Sequence, residues 1–373
     1  MRIVQASKAY FPHLGGIETI VRQLAEGFAQ RQGFDSRVIV CSDDRHSHTE
    51  YLHGVHVRRE ATLTRIASLP ISPTYPLGLL RETGDVLHIH EPSLLPAATY
   101  STFFPLARCH FRRLVVWWHS DIVRQRTFSL LYRSLLRLTL RHADAIIVAT
   151  PQHITSSSFL PEFRNKCHVI HYGIDPVRFA LTPTLTARID QIRVKYGTPL
   201  ILFIGRLVYY KGAEYLVRAM HQLPEARLVI VGSGPLESEL VKLVAQGPNN
   251  TTIIPFLDDQ AMIAMLHACD IFVLPSVENS EAFGIVQLEA MACGKPVITA
   301  DLATGVTYVN QAGQTGLVVP KRNPDALAQA IGQLIADLHL YQRLGATAQA
   351  RVLRDFTIDG MINQTIKLYQ DIL

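Results

Sequence analysis

The chain has 373 residues, long for one globular domain and comfortable for two. With 48% apolar and 18% charged residues it can bury a sizeable core, which excludes global disorder. Its net charge of +5 is uneven: residues 1–178 carry 21 Lys and Arg against 14 Asp and Glu, and the remainder 15 against 17.

The basic first part is expected to face something anionic. Nucleic acid is not supported, because no Lys/Arg run, RNP-like aromatic string or zinc-finger spacing occurs. An anionic membrane surface or a phosphate-bearing substrate fits instead. The five cysteines (Cys41, Cys109, Cys167, Cys269, Cys293) share no C-x-x-C spacing, which argues against a disulfide framework and a zinc cluster. No run of about 18 apolar residues occurs, and MRIVQAS has no leader-peptide pattern. A cytoplasmic chain that does not span a membrane is the expectation.

From the N-terminus, short Val- and Ile-rich runs alternate with amphipathic stretches. Arg2–Ala6, Arg37–Cys41, Asp85–His90, Leu114–His119, Ala145–Ala149 and His168–His171 read as strands. Over Thr19–Arg31, Ile20, Val21, Leu24, Ala25 and Phe28 fall on one helix face. The pattern restarts with a strand at Pro199–Gly205, helix Ala213–His221, strand Arg227–Gly232, helix Pro235–Gln246 and strand Asp270–Pro275. A helix near Phe283–Cys293, strands Pro296–Ala300 and Gly316–Val319, and helices over Pro324–Ile335, Tyr341–Arg354 and Ile358–Leu373 complete it. Asp175–Gly197 holds two prolines and no clear strand, and reads as the boundary.

The expected fold is α/β: two doubly wound domains with parallel sheets, facing a cleft. The expected division is an N-terminal domain 1–178, a linker 179–198, a C-terminal domain 199–355 and a last helix over 356–373. Ligands of such sheets bind beyond the carboxyl ends of the strands, so the loops there hold the candidate residues.

The first strand runs into Gly15-Gly16-Ile17-Glu18, where the backbone could approach an anion at a helix start; a plain tight turn reads equally well. After the strand at Pro199–Gly205, Arg206 and Lys211 lie five apart on a loop bounded by Gly205 and Gly212. Two such cations could clamp a diphosphate, or simply be surface charge. Val231-Gly232-Ser233-Gly234-Pro235 is better read as a structural turn. The most specific stretch runs from Pro275 to Val297, with Glu281 and Glu289 eight apart and Gly284 at a helix start between them. Amides from Phe283 to Val286 would be helix N-terminal donors aimed into the cleft. Either glutamate alone would pass as solvated.

Together these runs resemble the family 4 retaining glycosyltransferases of the two-domain GT-B fold. The E-x7-E run, Gly-Gly-x-Glu, Gly-Arg…Lys-Gly and Gly-x-Gly-Pro occur in family order over essentially the whole chain. The resemblance implies that Arg206 and Lys211 hold the donor diphosphate and stabilise the leaving group. It puts Glu289 on the ribose hydroxyls and Glu281 at the donor sugar. The amides of Ala282, Phe283 and Gly284, continuing to Ile285 and Val286, would bind the donor, with Gly15 and Gly16 near its diphosphate. His119 looks like the family's active-site histidine beside the transferred sugar. Loop and helix-start positions for Lys211 and Glu281 imply that truncating either leaves the fold intact.

No Asp-x-Asp occurs, so a metal-independent reaction without a cofactor is expected. The string Trp118-His119-Ser120-Asp121-Ile122-Val123-Arg124-Gln125 looks like a bacterial subgroup of mannosyl- and rhamnosyltransferases that build O-antigen. That resemblance implies a GDP-sugar donor and a polyprenyl-diphosphate-linked saccharide acceptor. The stretch 128–142 repeats Arg133, Arg137 and Arg141 every fourth residue, with Leu130, Leu131, Leu135 and Leu138 as an apolar side. It reads as a docking helix for the anionic inner membrane surface, with an ordinary packed surface helix as the rival. Other rivals are a UDP-sugar transferase, a phosphorylase- or epimerase-like enzyme on the same fold, and an NAD-dependent dehydrogenase. The last lacks its G-x-G-x-x-G fingerprint here.

Overall fold

The computed structural model describes residues 1–13, 15–66, 69–121 and 129–373, with only the backbone of 66 and 129–132. The chain forms two compact units, Met1–Tyr172 with Ile358–Leu373, and Gly173–Thr357.

The first unit is built on β1 (Arg2–Ala6), β2 (Asp35–Cys41), β3 (His48–Leu52), β4 (Val55–Glu60), β7 (Gly84–Glu91), β8 (Phe111–Trp118), β9 (Ala145–Val148) and β10 (Cys167–Val169). A small hairpin of β5 (Thr64–Ile66) and β6 (Leu69–Ile71) stands apart. The sheet order is β10-β9-β8-β7-β1-β2-β4-β3, parallel throughout except for the edge strand β3. Alternation along β7 and β8 sends Leu87, Ile89, Leu114, Val116 and Trp118 into one core with Val4, Ala6, Ile146 and Val148. The opposite face is covered by helix Gly16–Ala29, whose Ile20, Val21, Leu24, Ala25 and Phe28 are all buried. The last helix, Ile358–Ile372, packs beside it: Tyr369 sits 5.8 Å from the Phe28 ring and hydrogen-bonds His88.

The second unit carries β11 (Leu200–Ile204), β12 (Arg227–Val231), β13 (Thr251–Ile254), β14 (Ile271–Leu274), β15 (Val297–Ala300) and β16 (Gly316–Val319). All are parallel in the order β13-β12-β11-β14-β15-β16, a doubly wound sheet whose order reverses between β11 and β14.

The structure differs from the sequence reading in several regions. The stretch 179–198 is not a linker. It holds helix Pro183–Tyr196, capped by the Thr182 hydroxyl and ended at Gly197, and it belongs to the second unit. Arg193 ties it down through Asp270 at 2.5 Å and the Ala268 carbonyl at 3.1 Å. The edge hairpin β3–β4 and the β13–helix Asp259–Ala268 pair were not anticipated. Most of β3 is exposed, and β13 is only half-buried and opens with two threonines, so neither leaves an unbroken apolar run to read.

Candidate active site

In the second unit, the loops leaving β11 and β14 lie at the reversal of strand order. Hydrogen bonds stitch three sequence motifs together there. Leu207 N donates to the Ser233 carbonyl at 2.9 Å, Leu236 N to the Leu207 carbonyl at 3.0 Å, and Val277 N to the Tyr210 carbonyl at 2.8 Å. The Gly-x-Gly-Pro turn thus braces the Gly205–Gly212 loop from one side, and the run after β14 holds it from the other. Gly212 is left-handed (φ 69°), and a Cβ there would lie 2.1 Å from the Pro275 carbonyl oxygen. Only glycine permits that approach.

This closure brings Lys211 Nζ to 2.6 Å from Glu281 Oε2, and the Ser276 hydroxyl donates to the same oxygen at 2.9 Å. Their side chains are only 14% and 9% exposed, and Ser276 is fully buried. Truncating either one would leave the other as an unpaired charge with little exposure, so a loss of stability is expected in place of an undisturbed fold. Arg206 is not drawn into this pair. It is exposed, and no carboxylate among the described residues pairs with it.

Glu281 leads into helix Ile285–Ala292, whose N-cap Gly284 is left-handed (φ 70°); its Cβ would meet Leu274 at 2.5 Å. The cap offers no side-chain acceptor, so the first-turn amides of Ile285 and Val286 have no partner within the helix. Such an end carries partial positive charge and favours anions. The loop before it is pinned. Gly305 N donates to the Ala282 carbonyl at 2.8 Å, and Gln287 Nε2 to the Phe283 carbonyl at 2.6 Å. Glu289, on the same helix, is half-buried, and burial raises its carboxyl to about 7. Arg178 partly offsets this, while Asp259, which binds Arg178 at 2.6 and 2.7 Å, adds to it.

In the first unit, Gly15 is the N-cap of helix Gly16–Ala29, and Glu18 folds back over it. Gly16 is exposed, and a Cβ on it would meet nothing within 4 Å. His119 follows β8 and is only 4% exposed. Its Nδ1 lies 2.6 Å from the Tyr172 hydroxyl and its Nε2 lies 3.0 Å from His90 Nδ1. Burial drives its imidazolium well below the usual histidine range, and repulsion from His90 and His153 adds to this. The sequence reading did not single out His90, Tyr172 or Ser276. The signal available was His88 and His90 alternating in β7 inside an otherwise apolar sheet.

Arg133, Arg137 and Arg141 are all exposed on helix Ser129–His142, whose Leu136 and Leu140 enter the core. Arg137 and Arg141 share Glu162, at 3.5 and 3.4 Å, and Arg133 and Arg137 lie over the Phe159 ring. Of the expected apolar side, Leu135 and Leu138 are half-buried, and the side chains of Leu130 and Leu131 lie outside the described residues; Leu136 and Leu140, which that side did not include, are the ones that turn inward. Ile122, Val123, Arg124 and Gln125 of the finer motif also lie outside them. Among the described residues no helix is long and apolar enough to cross a membrane, and no His/Cys/Asp/Glu group is placed to hold a metal ion.

Comparison with known proteins matches residues 14–178 to Glycosyltransferase Family 4 and residues 187–351 to Glycosyl transferases group 1. The chain is 35% identical to D-rhamnosyltransferase WbpZ of Pseudomonas aeruginosa, over 96% of this chain and 92% of that one. It is 31% identical to O-antigen chain mannosyltransferase C of Escherichia coli, over 100% and 99%. Among solved structures, Anabaena Alr3699/HepE in complex with UDP-glucose superposes with a TM-score of 0.80 at 21% identity, covering 100% of both chains. Both units match glycosyltransferase families and the full-length relatives exceed 30% identity, so this chain belongs to the family 4/group 1 glycosyltransferases and has the GT-B fold.

Proposed function

We propose that this glycosyltransferase moves mannose or rhamnose from a GDP-linked donor to a lipid-linked saccharide in surface-polysaccharide synthesis, with retention and without a metal. The names of the two full-length relatives support the sugar and the pathway class. The observation that carries the chemistry is the buried Lys211–Glu281 pair beside an uncapped helix start.

Transfer breaks the bond between the anomeric carbon and the diphosphate oxygen, and the electron pair leaves with phosphate. Lys211, Arg206 and the amides from Ala282 to Val286 stabilise that growing negative charge. Glu281 accepts hydrogen bonds from the donor sugar and Glu289 from the ribose. Gly16 lets a diphosphate approach the backbone, while at Gly15 the Glu18 carboxylate would first have to move aside. The acceptor hydroxyl bonds to the anomeric carbon on the face the phosphate leaves, and its proton passes to the departing phosphate. His119 is neutral at the sugar, so it supplies shape and polarity rather than a proton. The polyprenyl-diphosphate acceptor is reached at the inner membrane surface, where Arg133, Arg137 and Arg141 meet anionic headgroups or the acceptor's own diphosphate.

A donor screen in EDTA tests this, using GDP-mannose, GDP-rhamnose, UDP-glucose, UDP-galactose and UDP-N-acetylglucosamine with a polyprenyl-diphosphate-linked saccharide. Turnover of a GDP-sugar, giving a product of unchanged anomeric configuration, is expected. Preference for a UDP-sugar would replace the donor, and activity restored only by a divalent ion would remove the metal-free mechanism.

A further inference from the structure

His119 is one link in a buried chain of polar groups. Strand alternation places His88 and His90 of β7 on the same face as Trp117 of β8, and His90 stands opposite Trp117 in the register. This is the face turned away from the core that holds Leu87, Ile89, Val116 and Trp118. The rings stack there: His88 on His90 at 4.4 Å, His90 on His119 at 5.3 Å, and Trp117 on His119 at 5.9 Å with a 3° interplanar angle. Tyr172 closes the stack 5.6 Å from His119. Gln5 of β1, also fully buried, presents its carbonyl oxygen 2.8 Å from His90 Nε2.

Proton placement along this chain is determined by one end. A carbonyl only accepts, so His90 Nε2 carries a hydrogen and donates to Gln5. A neutral imidazole has a single N–H, so His90 Nδ1 accepts. Its partner at 3.0 Å, His119 Nε2, must then donate. His119 Nδ1 is left as an acceptor for the Tyr172 hydroxyl at 2.6 Å. Each link contains one hydrogen, and reversing any one would require reversing all. Burial lowers the imidazolium of His88, His90 and His119 alike, in keeping with neutral rings throughout.

We propose that His90 is a positioning residue, which with Gln5 and Tyr172 fixes the His119 ring as its Nε2–H tautomer in a single orientation. The role in turnover rests on the reading that His119 meets the transferred sugar. A ring with both nitrogens engaged is held against rotation, so the surface it presents is set before the donor arrives. The bond to His90 matters for what it accepts, not for imidazole chemistry as such. An asparagine at 90, whose side-chain oxygen takes the place of Nδ1, therefore serves in its stead, whereas leucine does not.

Nitrogen-15 correlation spectra of histidine-labelled full-length chain at pH 7 give the decisive measurement, and the unsubstituted protein already yields a result. His119 is expected protonated at Nε2 alone; an Nδ1–H form or a rapidly exchanging mixture would overturn the inference. In His90→Leu the single tautomer should be lost and kcat should fall about 100-fold, with the donor KM changed less than about 3-fold. His90→Asn should restore both. An unchanged His119 tautomer in His90→Leu would overturn the positioning role. A lost tautomer with unchanged turnover would instead remove His119 from the sugar, and with it any part of His90 in the reaction.

Discussion

Truncating Lys211 strips the partner from a carboxylate that is itself buried, so Lys211→Ala is expected to lose stability as well as activity. Breaking such a pair costs about 3 kcal/mol, and removing one transition-state donor lowers turnover about 100- to 1,000-fold. Lys211→Met with Glu281→Gln leaves no unpaired charge, so the double variant should be more stable than the sum of the singles by about 1–3 kcal/mol. Denaturant titrations of the four proteins measure this, and strict additivity would mean that the 2.6 Å contact does not persist in solution. Gly16 offers the converse case, since a Cβ there meets nothing. Gly16→Val should leave stability within about 0.5 kcal/mol while raising the donor KM at least about 10-fold. A normal KM would show that no diphosphate approaches that backbone. Glu289 makes a pH prediction. Its carboxyl, raised by burial from 4.5 to about 7, keeps its proton in the folded state over a range where the unfolded chain has lost it. Stability contributed by this group is therefore lost as pH rises from about 4.5 to 7 and is level above, with a slope of at most about 1.4 kcal/mol per pH unit. The melting temperature of Glu289→Gln relative to the parent should rise across that window, and parallel curves would refute the shift.

At the scale of elements, legibility followed burial. Strands such as Ile271–Leu274, covered on both faces, show as unbroken apolar runs, and the amphipathic helix Gly16–Ala29 shows its stripe. Helix Pro183–Tyr196 buries only Leu185, so it has no stripe to find, and its two boundary signals, Thr182 before Pro183 and Gly197 after Tyr196, sit in a stretch that reads as a linker. The motif glycines pointed to the loops but not to their contacts. That Lys211 turns inward to Glu281 while Arg206 stays outside depends on the left-handed turn at Gly212 and on Pro275, 63 positions further along the chain. The imidazole chain was illegible for the same reason, because Gln5, His90, His119 and Tyr172 come from four separate segments. Helix Ser129–His142 illustrates the limit of periodicity: its Leu136 and Leu140 serve the core while Leu135 and Leu138 stay half-buried, and the exposed arginines are expected to carry vesicle binding. Replacing Arg133, Arg137 and Arg141 by glutamine should weaken flotation on anionic liposomes about 100-fold, at about 1 kcal/mol per cation. Parent binding should also fall steeply with salt. Salt-independent binding, or none, would reject this surface and leave the transferase assignment standing.

For the whole molecule, the chain ends where it began: Ile358–Leu373 completes the first unit after the second has been traversed. That helix buries Met361, Ile362, Leu368 and Tyr369, and Tyr369 reaches His88 on the sheet face that carries the imidazole stack. Gly27 lacks a side chain where Ile362 fits, since a Cβ there would lie 2.2 Å from it, and Arg31 binds Asp359 at 3.1 Å. Four buried side chains, at roughly 1.5–3 kcal/mol each, amount to something like the entire stability of an ordinary domain. The first unit is therefore expected not to fold from residues 1–172 alone, whereas the second unit is continuous in sequence and complete in its six-stranded sheet. A chain stopped after Thr357 should show rapid hydrogen exchange through β1, β7 and β8, with protection retained in β11, β12 and β14. Tyr369→Phe, which deletes only the hydroxyl bonded to His88, should cost about 1 kcal/mol and spare the fold. Native-like protection of β7 and β8 in the shortened chain would mean that the last helix decorates the first unit rather than completes it.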